Sequence, residues 1–72
     1  MQYNFTDAVI DVARLRRTDA GYVFGFEVKP TDGTPYHSGY VEASNHDTAA
    51  AVAHGAYWSN NLKKYQQNAY GF

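Results

Sequence analysis

Tyr22-Val23-Phe24-Gly25-Phe26-Glu27-Val28-Lys29-Pro30, then Asp32-Gly33, then Tyr36-His37-Ser38-Gly39-Tyr40-Val41-Glu42-Ala43 is the stretch whose reading decides the fold. Large apolar residues at every second position mark a strand with one buried face, because successive side chains of an extended chain point to opposite sides. Asp32-Gly33 suits a two-residue type I′ turn, whose central residues need positive φ. A reversal there sets Val28 opposite His37, Phe26 opposite Gly39, Phe24 opposite Val41 and Tyr22 opposite Ala43.

Toward the N-terminus, Thr18-Asp19-Ala20-Gly21 is a second turn signal. A two-residue turn at Asp19-Ala20 sets Arg17 opposite Tyr22, Leu15 opposite Phe24 and Ala13 opposite Phe26. Each turn is placed by its own chemistry, yet both send one set of residues to one face. That face holds Val9, Ala13, Leu15, Tyr22, Phe24, Phe26, Val28, Gly39, Val41 and Ala43. The agreement predicts a three-stranded antiparallel meander, with strands over about 8–17, 22–29 and 36–43. Asp11 on the core face and His37 at its rim fit poorly. A bulge near Asp11, or a frayed sheet end, relieves the first. A competing reading makes residues 6–17 a helix capped by Thr6, with Gly21 beyond its end. The β-branched run Val9, Ile10 and Val12, leading into a hairpin, favours the strand. The opposite face carries Arg14, Arg16, Val23, Gly25, Glu27, Lys29, Tyr36, Ser38, Tyr40 and Glu42, the composition of a wet sheet face.

Toward the C-terminus, Ser44 and Asn45 are good helix caps, and Ser44-x-x-Asp47 has the spacing of a capping box. A helix is expected over 46–58, with continuation to 67 left open. Its alanines would let the helix approach the phenylalanines of the sheet closely. The expected class is therefore α+β, a three-stranded meander with a C-terminal helix across one face. Two apolar stripes run along the helix: Ala49, Val52, Ala53 and Ala56, and separately Ala51, Trp58, Leu62 and Tyr65. On an unbroken helix these stripes lie roughly 150° apart, so only one can cover the sheet. Either the chain breaks at Gly55 or Ser59-Asn60-Asn61 and the second stripe turns back to the core, or Trp58, Leu62 and Tyr65 form an exposed interface. Ser-Asn-Asn is poor helix material and favours the break. The tail, from Gln66 to Phe72, is read as frayed or packed on a partner.

Seventy-two residues without cysteine allow one small domain with neither a disulfide nor a cysteine-based zinc site. Such a core contributes only about 3–5 kcal/mol net. A net charge of −1 argues against a strongly basic nucleic-acid binder and is too mild for an acidic nucleic-acid mimic. No apolar run has membrane-spanning length and the start is not a signal peptide, so a cytoplasmic protein is expected.

No phosphate-binding glycine loop, metalloprotease helix or nucleophile elbow occurs, so an enzyme is not expected, and neither is a cofactor. His37, His46 and His54 are the natural general bases. His46, Asp47 and His54 do not have the spacing of metal ligands on adjacent turns, and the expectation is solvated histidines with no metal. The polar sheet face is a second candidate surface. Arg14, Arg16, Lys29, Tyr36 and Tyr40 would together stack on bases and hold phosphates, although Glu27 and Glu42 share that face. Cross-strand pairing, Arg14 with Tyr40 and Arg16 with Glu42, is the structural alternative.

Gly39-Tyr40-Val41-Glu42-Ala43-Ser44 running into Asp47-Thr48-Ala49-Ala50-Ala51-Val52-Ala53 resembles the strand-to-helix junction of small bacteriophage proteins, among them anti-CRISPRs and inhibitors of host polymerase. The resemblance covers about a quarter of the chain and has no diagnostic motif, so it transfers no residue role. It implies a tiny sheet with one helix that covers a working surface of a large host complex, in the host cytoplasm. The expected function is a non-enzymatic binding protein, with Trp58, Leu62 and Tyr65, or Tyr36 and Tyr40, as the contact. Nucleic-acid binding and a structural homodimer are the alternatives.

Overall fold

The computed structural model describes residues 1–66. Strands β1 (Gln2–Asn4), β2 (Ala8–Thr18), β3 (Gly21–Pro30) and β4 (His37–Ala43) are followed by helix α1 (His46–Trp58) and a short helix α2 (Lys63–Gln66). The strands form one antiparallel sheet in the order β1-β2-β3-β4. Residues 6–17 are not a helix. The meander has four strands rather than three, because the N-terminal residues pair with β2: Tyr3 stands opposite Ile10. Tyr3 and Phe5 alternate inward and pack against the core. Their alternation was present in the sequence but too short to read.

The β3–β4 register is the expected one, from Tyr22 opposite Ala43 to Val28 opposite His37. The β2–β3 register is right only beside its turn, where Thr18 faces Gly21 and Arg17 faces Tyr22. Between Arg14 and Arg16 a bulge at Leu15 shifts the ladder by one residue, so Arg14 faces Phe24 and Val12 faces Phe26. A one-residue slip exchanges the faces of a strand. Ala8, Ile10 and Val12 therefore fill the core, whereas Val9, Ala13 and Leu15 do not. The slip also moves Asp11 off the core face. The misfit of Asp11 signalled a bulge, and the bulge lies four residues further on.

The Asp32-Gly33 reversal is not type I′. Gly33 has φ +85°, but Asp32 is not among the positive-φ residues. The Asp32 carboxylate instead accepts from the amide and hydroxyl of Thr34, at 3.0 and 2.7 Å. Thr31 is drawn away, its amide donating to the Asp7 carbonyl at 3.0 Å. The connection opens, β4 begins at His37, and Tyr36 is left outside the strand.

Four alanines of α1 (Ala49, Ala50, Ala53 and Ala56) lie buried against Ile10, Phe24 and their neighbours. Asn45 rather than Ser44 caps the helix, accepting from the Thr48 amide at 2.8 Å. Asp47 stays in the first turn, where its charge suits the helix dipole. Its carboxylate, however, accepts from the Tyr3 hydroxyl at 2.6 Å and so ties β1 to α1. The helix stops at the Ser-Asn-Asn segment. Asn60 takes φ +58°. The Asn60 amide donates to the Tyr57 carbonyl at 3.2 Å, and the Asn61 amide to the Ala56 carbonyl at 2.7 Å. This is a left-handed helix stop that satisfies the last carbonyls. The open continuation of the helix to 67 is therefore cut at Ser59, with helix resuming only as α2. Of the tail, the residues after Gln66 lie outside the described residues.

Candidate functional site

The helix stop divides the Trp58, Leu62 and Tyr65 row. Leu62 turns back and is buried in the core. Tyr65 reaches β4: its ring meets Phe26 edge-on at 6.5 Å, and its carbonyl lies over Gly39. Trp58 alone stays outside, 78% exposed. Tyr65 is half-buried and Tyr36, at 63%, exposed.

Between Trp58 and the first turn, where Asp47 is exposed, the stripe that carries the indole holds no charge. Thr48, Ala51 and Gly55 are exposed and share its side of α1 at helical spacing. Val52 flanks this stripe, half-buried. A β-carbon on Gly55 would meet nothing within 4 Å. Glycine inside a helix costs about 1 kcal/mol relative to alanine, and no internal close approach accounts for it here. The sequence carried this signal, since Ala51, Gly55 and Trp58 recur at helical spacing. Gly55 read instead as a place where the helix breaks.

The residues nominated for nucleic acid do not assemble on one face. The bulge turns Arg14 to the helix side of the sheet, where its guanidinium lies 4.9 Å from the Tyr22 ring centroid. Arg16 remains on the outer face, opposite Val23, which is itself buried. Lys29 is engaged by Asp11 and, at 3.8 Å, by Glu27. The Asp11 carboxylate above all raises the pKa of Lys29. Tyr40 is half-buried opposite Gly25, whose far neighbour is Ala13. The Leu15 side chain, not a tyrosine ring, lies over Gly25, 3.2 Å from where a β-carbon would stand. Ala13, Leu15, Gly25 and Tyr40, with Ser38 and Gln66, border an open hollow of about 450 Å³.

The histidines are not simply solvated. His46 meets Phe24 edge-on at 4.8 Å. His54 lies flat on Phe5, ring centroids 3.9 Å apart and planes within 6°, with Nε2 2.8 Å from the Asp7 carboxylate. The imidazole holds the Asp7 carboxyl below the usual carboxylate range. His37 lies 6.0 Å from the Tyr57 ring. Burial first, then the charges of Asp32 and Asp7, push the Tyr57 hydroxyl upward. Asp7, His54, Tyr57 and His37 thus gather at the end of the sheet where the β1–β2 and β3–β4 connections meet α1. Among the described residues no three side chains are grouped to hold a metal ion, and no helix is long and apolar enough to cross a membrane.

The chain matches no protein-family model, no curated protein and no solved structure.

Proposed function

We propose that this protein is a non-enzymatic binding protein that acts through protein–protein contact, with Trp58 as the anchor. The observation that carries this reading is an indole 78% exposed beside a helix-interior glycine with open space above it. Tryptophan is the residue most often found as a binding hot spot, because it buries a large area at small entropic cost. The small uncharged positions Ala51 and Gly55 let another backbone approach α1 beside Trp58. Covering a working surface of a larger host complex is the mode of action that fits a domain of this size, and the phage-type resemblance of the strand-to-helix junction supports it.

The test uses the chain's one tryptophan. Affinity capture from the native host with wild-type protein and Trp58→Ala should yield a partner retained only by the wild type. The purified partner should then shift Trp58 emission to shorter wavelength, and both proteins should melt at the same temperature. Equal retention by the two proteins would overturn the reading, as would a variant that has lost its fold. If the partner proves to be a second copy of the chain, sedimentation of the isolated protein as a pair that Trp58→Ala dissociates will reveal it.

A further inference from the structure

Among the described residues, no strand lies beside the outer edge of β2 beyond Val12. β1 pairs with β2 from Asn4 opposite Val9 to Gln2 opposite Asp11, and Met1 brackets Val12. Residues 13–18 pair only with β3 among the described residues. At about 3.3 Å per residue this leaves an open edge of roughly 20 Å. The same segment holds Arg14, Arg16 and Arg17, three of the six cations of the chain.

The bulge decides how these cations are presented. Arg14 stands opposite Phe24 and Arg17 opposite Tyr22, so the two share the face of Tyr22 despite being three positions apart. Stacking on Tyr22 holds the Arg14 guanidinium in place. Neither Arg14 nor Arg17 forms an ion pair with a carboxylate among the described residues. Between them Leu15 is 43% exposed.

We propose that this edge receives an extended acidic segment of a protein partner, which lies beside β2 as an added strand and sets carboxylates against Arg14 and Arg17. The inference rests on the reading that the protein works by protein–protein contact, and it names the chemistry of the partner. An open edge offers backbone donors and acceptors to any strand, and side-chain charge selects among them. A second copy would bring its own three arginines against these and be repelled, whereas an acidic strand is attracted. Carboxylates also meet guanidinium groups through paired hydrogen bonds. The bulge interrupts the ladder and keeps the pairing short, so charge supplies much of the affinity. Nucleic acid fits less well: the chain is net negative, and the tyrosine beside these arginines is already covered by Arg14 rather than open to a base.

The experiment is a titration of the ¹⁵N-labelled full chain with a blocked peptide of alternating glutamate and valine. Amide shifts and slowed exchange are expected at residues 13–18, with affinity falling as salt is raised. The double substitution Arg14→Gln with Arg17→Gln should weaken binding by about tenfold or more. Arg14→Lys with Arg17→Lys, which keeps the charge, should retain most of it. Amide spectra verify that each variant is folded. Trp58→Ala should leave this titration unchanged, so failure of the α1 contact and failure of the β2 edge are separate observations. The proposal is overturned if the shifts fall on α1, if a lysine–valine peptide binds equally well, or if the double glutamine variant binds like wild type. Tighter binding of a single-stranded oligonucleotide at the same edge would also overturn it.

Discussion

The carbonyl oxygen of Tyr65 lies over Gly39, only 2.6 Å from where a β-carbon on that residue would stand. No side chain fits under it. This contact lets α2 close against β4, and that closure buries Leu62 while Trp58 stays outside. A missing side chain on the sheet therefore shapes the surface on α1.

Gly39→Ala should push α2 off the sheet rather than unfold the domain. Overpacking of this kind costs about 1–3 kcal/mol. Denaturant unfolding should show that loss, and limited proteolysis should cut near residues 60–66 faster than in the wild type. Unchanged protection there would mean that α2 does not depend on the close approach.

Asn60 can be tested in both directions. Its φ of +58° is easy for glycine and costs a residue with a β-carbon about 1–2 kcal/mol, which asparagine partly escapes through local hydrogen bonding. Asn60→Gly should hold or raise the melting temperature. Asn60→Ala should lower it by about 4–8 °C for each kcal/mol lost in a domain of this size. Equal melting of the two variants would show that the stop is not made by this residue.

The Asp7–His54 contact makes stability depend on acid. Asp7 is held below its usual range chiefly by the hydrogen bond with His54. The folded protein therefore gives up this proton more readily than the unfolded chain does. The stabilisation is fully present above the ordinary carboxylate pKa of about 4 and is lost as pH falls through the lower folded value. Urea midpoints measured through this range should fall less steeply for Asp7→Asn than for wild type. In His54→Ala, an NMR titration should find the Asp7 carboxyl moved back up.

Tyr3 gives the alkaline counterpart. The hydrogen bond to Asp47, then desolvation, then the charge of Asp47 raise the hydroxyl from 10.0 to about 12. Here the folded protein keeps its proton longer than the unfolded chain. The contribution is complete below about pH 10 and disappears as pH climbs toward the folded value. Tyr57 is also raised, so absorbance titration should show more than one late tyrosine. The step that belongs to Tyr3, near 12, should be absent in Tyr3→Phe and shifted earlier in Asp47→Asn. If Asp47→Asn leaves that step unmoved, the link between β1 and α1 is not the cause.

Much of the fold was legible because it follows from local rules. Phe24, Phe26 and Val28 alternate, Asp19-Ala20 reverses the chain, and the alanines of α1 repeat at helical spacing. Each of these acts within a few residues. Less of the candidate site could be read. Trp58 was nominated, but with Leu62 and Tyr65 beside it, and Arg14 was placed on the face of Tyr40. The row of three needs an unbroken helix, and Ser-Asn-Asn already favours the break that divides it, whereas the placement of Arg14 comes from treating β2 as unbroken. One extra residue at Leu15 reverses the faces of β2, and one left-handed residue at Asn60 redirects α2. Nothing at Leu15 announces the bulge, whereas Ser59-Asn60-Asn61 announces the helix stop but not the direction α2 takes from it.

Alternation and turn chemistry by themselves determined an antiparallel sheet with phenylalanines beneath an alanine helix, since these depend on neighbours along the chain. Which way Arg14 points, whether Leu62 is covered, and that Asp7 meets His54 were decided only by the assembled structure. Such choices compare burial across the whole domain, between residues as far apart as Gly39 and Tyr65, and that comparison is made only when the elements pack.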